Sequence, residues 1–277
     1  MKTPRSLFAF TALMAVTFQA AGAANEASTG DTSSGDAAAE LAKKLSNPVA
    51  ALISVPFQNN FDFGAGPDGD GFQFKMNFQP VAPFSLSDDW NLISRTIIPY
   101  VDQEDVIGNS SQSGLSDTVQ SLFFSPKDPT ASGWIWGAGP VFLIPTATDD
   151  LLGTEKWGAG PTAVMLKQDN GWTYGGLANH IWSFAGESQR QDVDATFLQP
   201  FISFTTPKQT TYTINSESTY DWENSQWTVP LNLMAAQLVK IGSTPVQLLG
   251  GVRYYAEKPA NGPDWGLRFA VVLLFPK

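Results

Sequence analysis

The segment Gly266-Leu-Arg-Phe-Ala-Val-Val-Leu-Leu-Phe275 restricts the fold of this chain more than any other. With a period of two, Leu267, Phe269, Val271, Leu273 and Phe275 share one face, while Arg268, Ala270 and Val272 share the other. Successive side chains of an extended strand point to opposite faces, so this is a strand with one apolar and one mixed face. Two architectures use such a strand. One is a closed membrane barrel, which ends on a strand of about ten residues with a terminal aromatic. The other is a soluble sandwich.

The rest of the chain discriminates between them. From Leu52 onward the alternation recurs. Ile53, Val55, Phe57, Phe61 and Phe63 oppose Ser54, Gln58, Asn60 and Asp62, and Phe72, Phe74, Met76, Phe78, Phe84 and Leu86 oppose Gln73, Lys75, Asn77 and Gln79. Ten further segments follow at about 90–101, 115–125, 134–146, 157–167, 172–184, 193–205, 211–221, 226–240, 245–256 and 265–275. About twelve strands is an even number, as a single-chain bacterial barrel requires. With a periplasmic N-terminus the outward connections are 64–71, 102–114, 147–156, 185–192, 222–225 and 257–264. The inward ones are 87–89, 126–133, 168–171, 206–210 and 241–244. The outward set is mostly longer and more acidic, which is the asymmetry of a membrane barrel; 126–133 and 222–225 run against it. The expected fold is therefore all-β, a transmembrane antiparallel β-barrel of about twelve strands.

The N-terminus agrees with export. A basic start at Lys2 and Arg5, an apolar run Leu7 to Phe18 and Ala21-Gly22-Ala23 read as a secretory signal peptide over residues 1–23. Residues 24–50 read as a polar linker with a short helix, Ala37 to Ser46, capped by Asp36 and limited by Pro48. That helix is expected as a periplasmic tether, the alternative being a plug in the lumen. The barrel takes residues 51–277. The absence of cysteine rules out disulfide and thiolate chemistry. With 16 Lys and Arg against 26 Asp and Glu, nucleic acid is not an expected partner. The expected partners are outer-membrane lipid and lipopolysaccharide, the barrel-assembly machinery and a small-molecule solute.

Several segments resemble a known family. Gly114-Leu-Ser-Asp-Thr118 running on to Phe123-Phe-Ser-Pro126, Gly139-Pro-Val-Phe-Leu-Ile-Pro-Thr146, Tyr254-Tyr255 and the terminal Phe275 are similar to the outer-membrane barrels of the MetA pathway of phenol degradation. The resemblance covers nearly all of the chain after Asn47. It implies a transporter of small, hydrophobic or aromatic compounds and brings no defined site residues. Pro276-Lys277 beyond the final aromatic depart from the usual terminus.

By alternation, the inward faces carry Asp62, Lys75, Arg95, Asp117, Glu217, Asp221, Arg253 and Arg268, with Gln58, Asn77, Gln79, Gln199, Asn215, Asn232 and Gln247. Charges facing lipid at mid-depth cost a few kcal/mol each, so these are the candidate lumen-lining residues. Both signs occur, unlike the single-sign ring of an ion-selective pore; a filling network and a solute path both fit. His180, the only histidine, shares a face with Trp172, Tyr174 and Trp182, as in an interfacial aromatic belt. No G-x-S-x-G elbow accompanies it, and no catalytic, metal or cofactor site is expected; the acidic groups 102–105 and Asp149-Asp150 read as solvated charge. Trp136-Gly-Ala-Gly-Pro140 is echoed by Trp157-Gly-Ala-Gly-Pro161, read as local hairpin geometry with small residues for close approach. Pro80, Pro83, Pro99, Pro140, Pro145, Pro161, Pro200 and Pro230 fall in or near strands, where proline cannot donate to a ladder. They imply kinked strands, some of which open a lateral gap for an apolar solute, the alternative being bulges that merely curve the barrel. The functional expectation is a non-enzymatic channel or transporter for small molecules. The alternatives are an outer-membrane hydrolase using His180, or a sealed structural or surface-binding barrel.

Overall fold

The computed structural model describes residues 32–276, with side chains from residue 39 onward; the signal-peptide reading and the first residues of the linker lie outside them. Among the described residues, one helix, α1 (Thr32–Leu45), precedes fifteen strand segments. These are β1 (Ile53–Ala65), β2 (Gly71–Phe78), β3 (Val81–Ser85), β4 (Trp90–Glu104), β5 (Ser111–Leu115), β6 (Thr118–Pro126), β7 (Trp134–Ile144) and β8 (Lys156–Asp169). After them come β9 (Trp172–Gly186), β10 (Asp194–Thr205), β11 (Thr210–Ser216), β12 (Ser218–Asp221), β13 (Gln226–Ile241), β14 (Thr244–Glu257) and β15 (Trp265–Phe275). Three pairs, β2/β3, β5/β6 and β11/β12, are halves of single interrupted staves, so the wall has 12 strands, all antiparallel.

Each stave pairs with its sequence neighbours, and the ring closes where β1 meets β15, in register from Ile53↔Phe275 to Phe63↔Trp265. Closure matters because an unpaired edge would expose backbone donors and acceptors to lipid at several kcal/mol each. The alternation places the faces as expected. On β15, Trp265, Phe269, Val271 and Phe275 are exposed on the outside, whereas Arg268, Ala270, Val272 and Leu274 are buried inside. Among the described residues no helix is long and apolar enough to cross a membrane; the strands do so. Trp90, Trp136, Trp172 and Tyr174 form a girdle at the end that holds both termini, and Trp157, Trp182, Trp222, Trp227 and Trp265 form one at the other. The longer connections 145–155, 187–193 and 258–264 lie at that second end, which is therefore extracellular.

The strand prolines sit where the ladder is broken. Between β6 and β7 pairing stops from Ser121↔Val141 to Phe124↔Ala138, around Pro140. Between β8 and β9 it stops from Ala159↔Trp182 to Thr162↔Asn179, around Pro161. The gap from Leu198↔Ser218 to Phe201↔Asn215 contains Pro200, and the register of β13 on β14 shifts at Val229/Pro230. Each proline keeps pairing on one side and lacks the N–H for the other.

The Trp-Gly-Ala-Gly-Pro echo now has a physical reason. Pro140 and Pro161 face each other across β7 and β8. The glycine before each proline accepts a neighbouring carbonyl into the space of a side chain. A Cβ on Gly139 would lie 2.1 Å from the Leu122 oxygen, and one on Gly160 would lie 1.8 Å from the His180 oxygen. The broken ladder lets the next strand ride close, and only glycine tolerates it.

The N-terminal segment is placed differently from the expected tether. The helix begins at Thr32 rather than Ala37, so part of the expected linker is helical. Beyond it the chain turns at Asn47, whose Oδ1 accepts from the Val49 N–H at 3.0 Å, and it enters the barrel. Val49 is buried with Ile93, Phe123, Val164, Leu166 and Leu177 from the inner wall. Ala50 and Leu52 pack with Val272 and Leu274, joined by Leu41 and Leu45 of α1. An apolar stripe on so short a helix needs a partner, and the lumen supplies it.

We expect Gly139→Ala and Gly160→Ala each to destabilise the barrel by about 1–3 kcal/mol through backbone displacement. Urea titration of heat-modifiable gel migration in lipid vesicles measures this; unchanged midpoints would contradict the close-approach reading.

Candidate functional site

The lumen has two parts. In its periplasmic half an apolar patch of the wall, Val81, Ile93, Phe123, Leu166, Leu177, Phe197 and Phe201, surrounds the inserted Val49. A hollow of about 210 Å³ remains between the N-terminal segment and the wall, lined by Pro48, Leu52, Gln79, Arg95, Gln199 and Gln247 among others. Arg95 is held there by a hydrogen bond from Nη2 to Gln79 Oε1 at 3.1 Å.

Above it lies a network of buried charges centred on Glu217. This residue sits in the break between β11 and β12, where the Ser216 and Ser218 hydroxyls meet at 2.7 Å and the Glu217 N–H reaches the Pro230 carbonyl at 3.3 Å. Its Oε2 accepts from Arg253 Nη2 at 2.6 Å and Arg268 Nη2 at 2.7 Å, and its Oε1 accepts from Arg268 Nη1 at 2.8 Å. The remaining guanidinium donors are also used. Arg268 Nε donates to Asn60 Oδ1 at 2.7 Å, and Arg253 Nε donates to Asn232 Oδ1 at 3.0 Å. Asn232 in turn donates to Asn215 Oδ1 at 2.7 Å, and Asn60 to the Lys75 carbonyl at 3.1 Å. Asp62 lies 3.5 Å from Arg253; its Oδ1 is buried without a hydrogen-bond partner. Lys75 is within electrostatic range of Asp62, Arg253 and Glu217. Two arginines against two carboxylates balance, and Lys75 and Arg95 add positive charge beside them. Four staves and the seam thus converge on one cluster.

Of the eight residues picked out by alternation, Asp62, Lys75, Glu217, Arg253 and Arg268 come together here, and Arg95 lies just below. Asp117 and Asp221 instead stand at the extracellular rim. Asp117 accepts from the N–H and hydroxyl of Thr154, both at 2.6 Å, and from the Ala147 N–H at 3.3 Å, pinning the loop 145–155. Asp221 caps its own hairpin through Asn224. Alternation assigns a face but not a depth, so it groups these two with the lumen residues. It also leaves Tyr255 unassigned, although its hydroxyl accepts from Arg253 Nη1 at 3.3 Å. Lys156 opens β8 instead of ending the connection 147–156; it is buried and donates to Asp192 at 2.8 Å.

His180 is on the lipid-facing side. Its Nδ1 lies 2.7 Å from Thr196 Oγ1 and its Nε2 lies 3.0 Å from Asp194 Oδ1. The hydroxyl beside the only histidine is thus a threonine, which also accepts from Trp222 Nε1 at 2.9 Å.

No known family profile and no curated protein matches the sequence. The fold is that of an outer-membrane channel from Pseudomonas putida F1, with a TM-score of 0.63 and 16% identity over 81% of this chain and 94% of that one. Outer-membrane phospholipase A from Escherichia coli overlays more loosely, with a TM-score of 0.48 and 12% identity over 87% of this chain and 98% of that one. The protein is an outer-membrane β-barrel. Its closed wall, apolar exterior and two aromatic girdles place it in the bacterial outer membrane.

Two predictions follow from the geometry. Glu217→Gln leaves the buried Arg268 without a carboxylate partner and Arg253 with Asp62 alone, and should cost about 3–5 kcal/mol, read by urea unfolding in vesicles. Adding Arg268→Met should recover part of that loss, and a further decrease would mean that the cluster is not a charge-balanced unit. At the rim, the hydrogen bonds from Lys156 and Ser183 hold the Asp192 carboxyl below the ordinary aspartate range. A depressed pKa contributes stability above the unfolded value and loses it in acid. The 187–193 loop should therefore resist proteolytic nicking at neutral pH and loosen only below about pH 4; Lys156→Met should remove this pH dependence.

Proposed function

We propose that the protein is a channel for small hydrophobic or aromatic molecules across the outer membrane, kept narrow by its own N-terminal segment. The observation that carries this reading is the apolar patch in the periplasmic half of the lumen. A water-filled porin has a polar interior. Here Ile93, Phe123, Leu166, Leu177, Phe197 and Phe201 line the wall instead. An aromatic ring gains from such a patch, and the few polar groups beside it, Gln79, Arg95, Gln199 and Gln247, can orient a phenolic hydroxyl.

The resemblance to the MetA-pathway barrels of phenol degradation supports the same substrate class. The charge network supports it from the other side. It holds both signs, and its guanidinium and carboxylate groups are bound to one another, unlike the single-sign ring of an ion-selective pore. Opening a path requires displacement of the Val49 to Leu52 segment.

Planar-bilayer conductance and vesicle uptake test the proposal. The intact barrel should conduct weakly. Removal of the segment up to Ala50 should raise conductance about tenfold or more, and phenolic compounds should enter vesicles faster than sugars of similar size. Equal entry of sugars and phenols into vesicles holding the intact barrel would refute the substrate class. Unchanged conductance after the deletion would refute the plug.

A further inference from the structure

The lipid-facing surface of β7 to β10 carries a feature that the channel reading does not use. Ala138, Ala163 and Ala178 lie side by side in register across three strands. In the adjacent row Gly176 stands between Met165 and Pro200. These small groups leave a trough of about 710 Å³ in the outer wall, rimmed by Trp136, Met165, Leu198 and Trp227. Glycine inside a strand weakens it, and marks either a bend or the close approach of another molecule. At Gly176 internal packing does not require it, since a Cβ there would meet nothing nearer than the Gln199 carbonyl at 3.7 Å.

One alternating step toward the extracellular girdle, the surface becomes polar. His180 is paired across the strands with Thr196, and Trp182 with Asp194. The chain of contacts runs from Trp222 Nε1 to Thr196, from Thr196 to His180 Nδ1 at 2.7 Å, and from His180 Nε2 to Asp194 at 3.0 Å. The Asp194 oxygen that faces His180 is covered and not aligned for a hydrogen bond, while the side chain as a whole is 33% exposed. A carboxylate on a lipid-facing surface is costly unless its depth supplies donors. Its neighbours in the hollow at the rim include Asp192, Asp221 and Arg190; Lys156 is already bound to Asp192, and Arg190 to loop carbonyls of Asp150 and Gly153. The surface left over accepts hydrogen bonds.

We propose that the trough and the polar row form one lipid site. An acyl chain of a surrounding membrane lipid lies over Ala138, Ala163, Gly176 and Ala178, and the lipid's head donates an N–H or O–H hydrogen bond to Asp194. The apolar channel fits a chain, its place between the two aromatic girdles puts it in the bilayer, and the acceptor stands at the depth of a head group. The occupant is a membrane lipid rather than a transported solute, because the trough opens on the outside of the wall.

Tryptophan fluorescence of the full-length barrel tests this in vesicles whose lipids carry bromine on the acyl chain, with Trp136 and Trp227 as reporters at the rim. Brominated phosphatidylethanolamine has N–H donors; brominated phosphatidylcholine has the same net charge and none. The intact protein should be quenched more than Gly176→Leu, which fills the trough, and more by the ethanolamine lipid than by the choline lipid. Asp194→Asn should keep the chain-dependent quenching and lose at least half of the head-group preference. Heat-modifiable migration checks folding, and Ala163→Leu serves if Gly176→Leu fails to fold. Equal quenching of the intact and filled proteins would overturn the chain site. Equal quenching by the two lipids would overturn the head contact. Relief of quenching by added phenol would assign the trough to a solute and overturn the lipid assignment.

Discussion

The structure depends on backbone hydrogen bonding in a medium that supplies none. In lipid, an unpaired sheet edge costs several kcal/mol per group, so the first and last strands must find each other. They do so along the whole of β1, from Ile53↔Phe275 to Phe63↔Trp265. Every other feature is an accommodation to that closure. The prolines would open the ladder, so each keeps one partner strand and gives up the other. Gly139 and Gly160 then let the adjoining carbonyls press in, which keeps the wall tight where its hydrogen bonds are missing.

Closure also creates an interior that must be filled. The two halves of the lumen solve this with different physics. Below, side chains of the wall and of the inserted segment exclude water by hydrophobic packing around Val49. Above, buried guanidinium and carboxylate groups satisfy one another through amide side chains from three strands. Such a network costs desolvation and is weak support for stability. Its value lies in geometry, because Arg268 on β15, Asn60 on β1 and Glu217 between β11 and β12 fit together only when the ring is closed in the correct register.

Much of this was legible in the sequence, because a period of two is a direct projection of one geometric fact. Alternation predicts the number of staves, their approximate limits and which residues of β15 face inward. It also brings Asp62, Lys75, Glu217, Arg253 and Arg268 to one interior. It does not carry depth, so Asp117 and Asp221 were grouped with residues far below them, although their bonds are to loops. The N-terminal segment was misplaced for another reason. A stripe as short as Leu41, Leu45, Val49 and Leu52 shows that something must be covered but not where the covering surface is. Only the radius of the closed barrel decides that it is the lumen.

The inserted segment also has a geometric consequence for the seam. Leu52 is buried with Leu274, and β1 begins one residue later, so segment and seam are joined with no slack between them. A slip of β1 on β15 by two residues would carry the segment about 7 Å along the wall and away from the Ile93 and Phe123 side chains that cover Val49. The two ends of the chain thus hold each other in place, one by its hydrogen bonds and the other by what it buries.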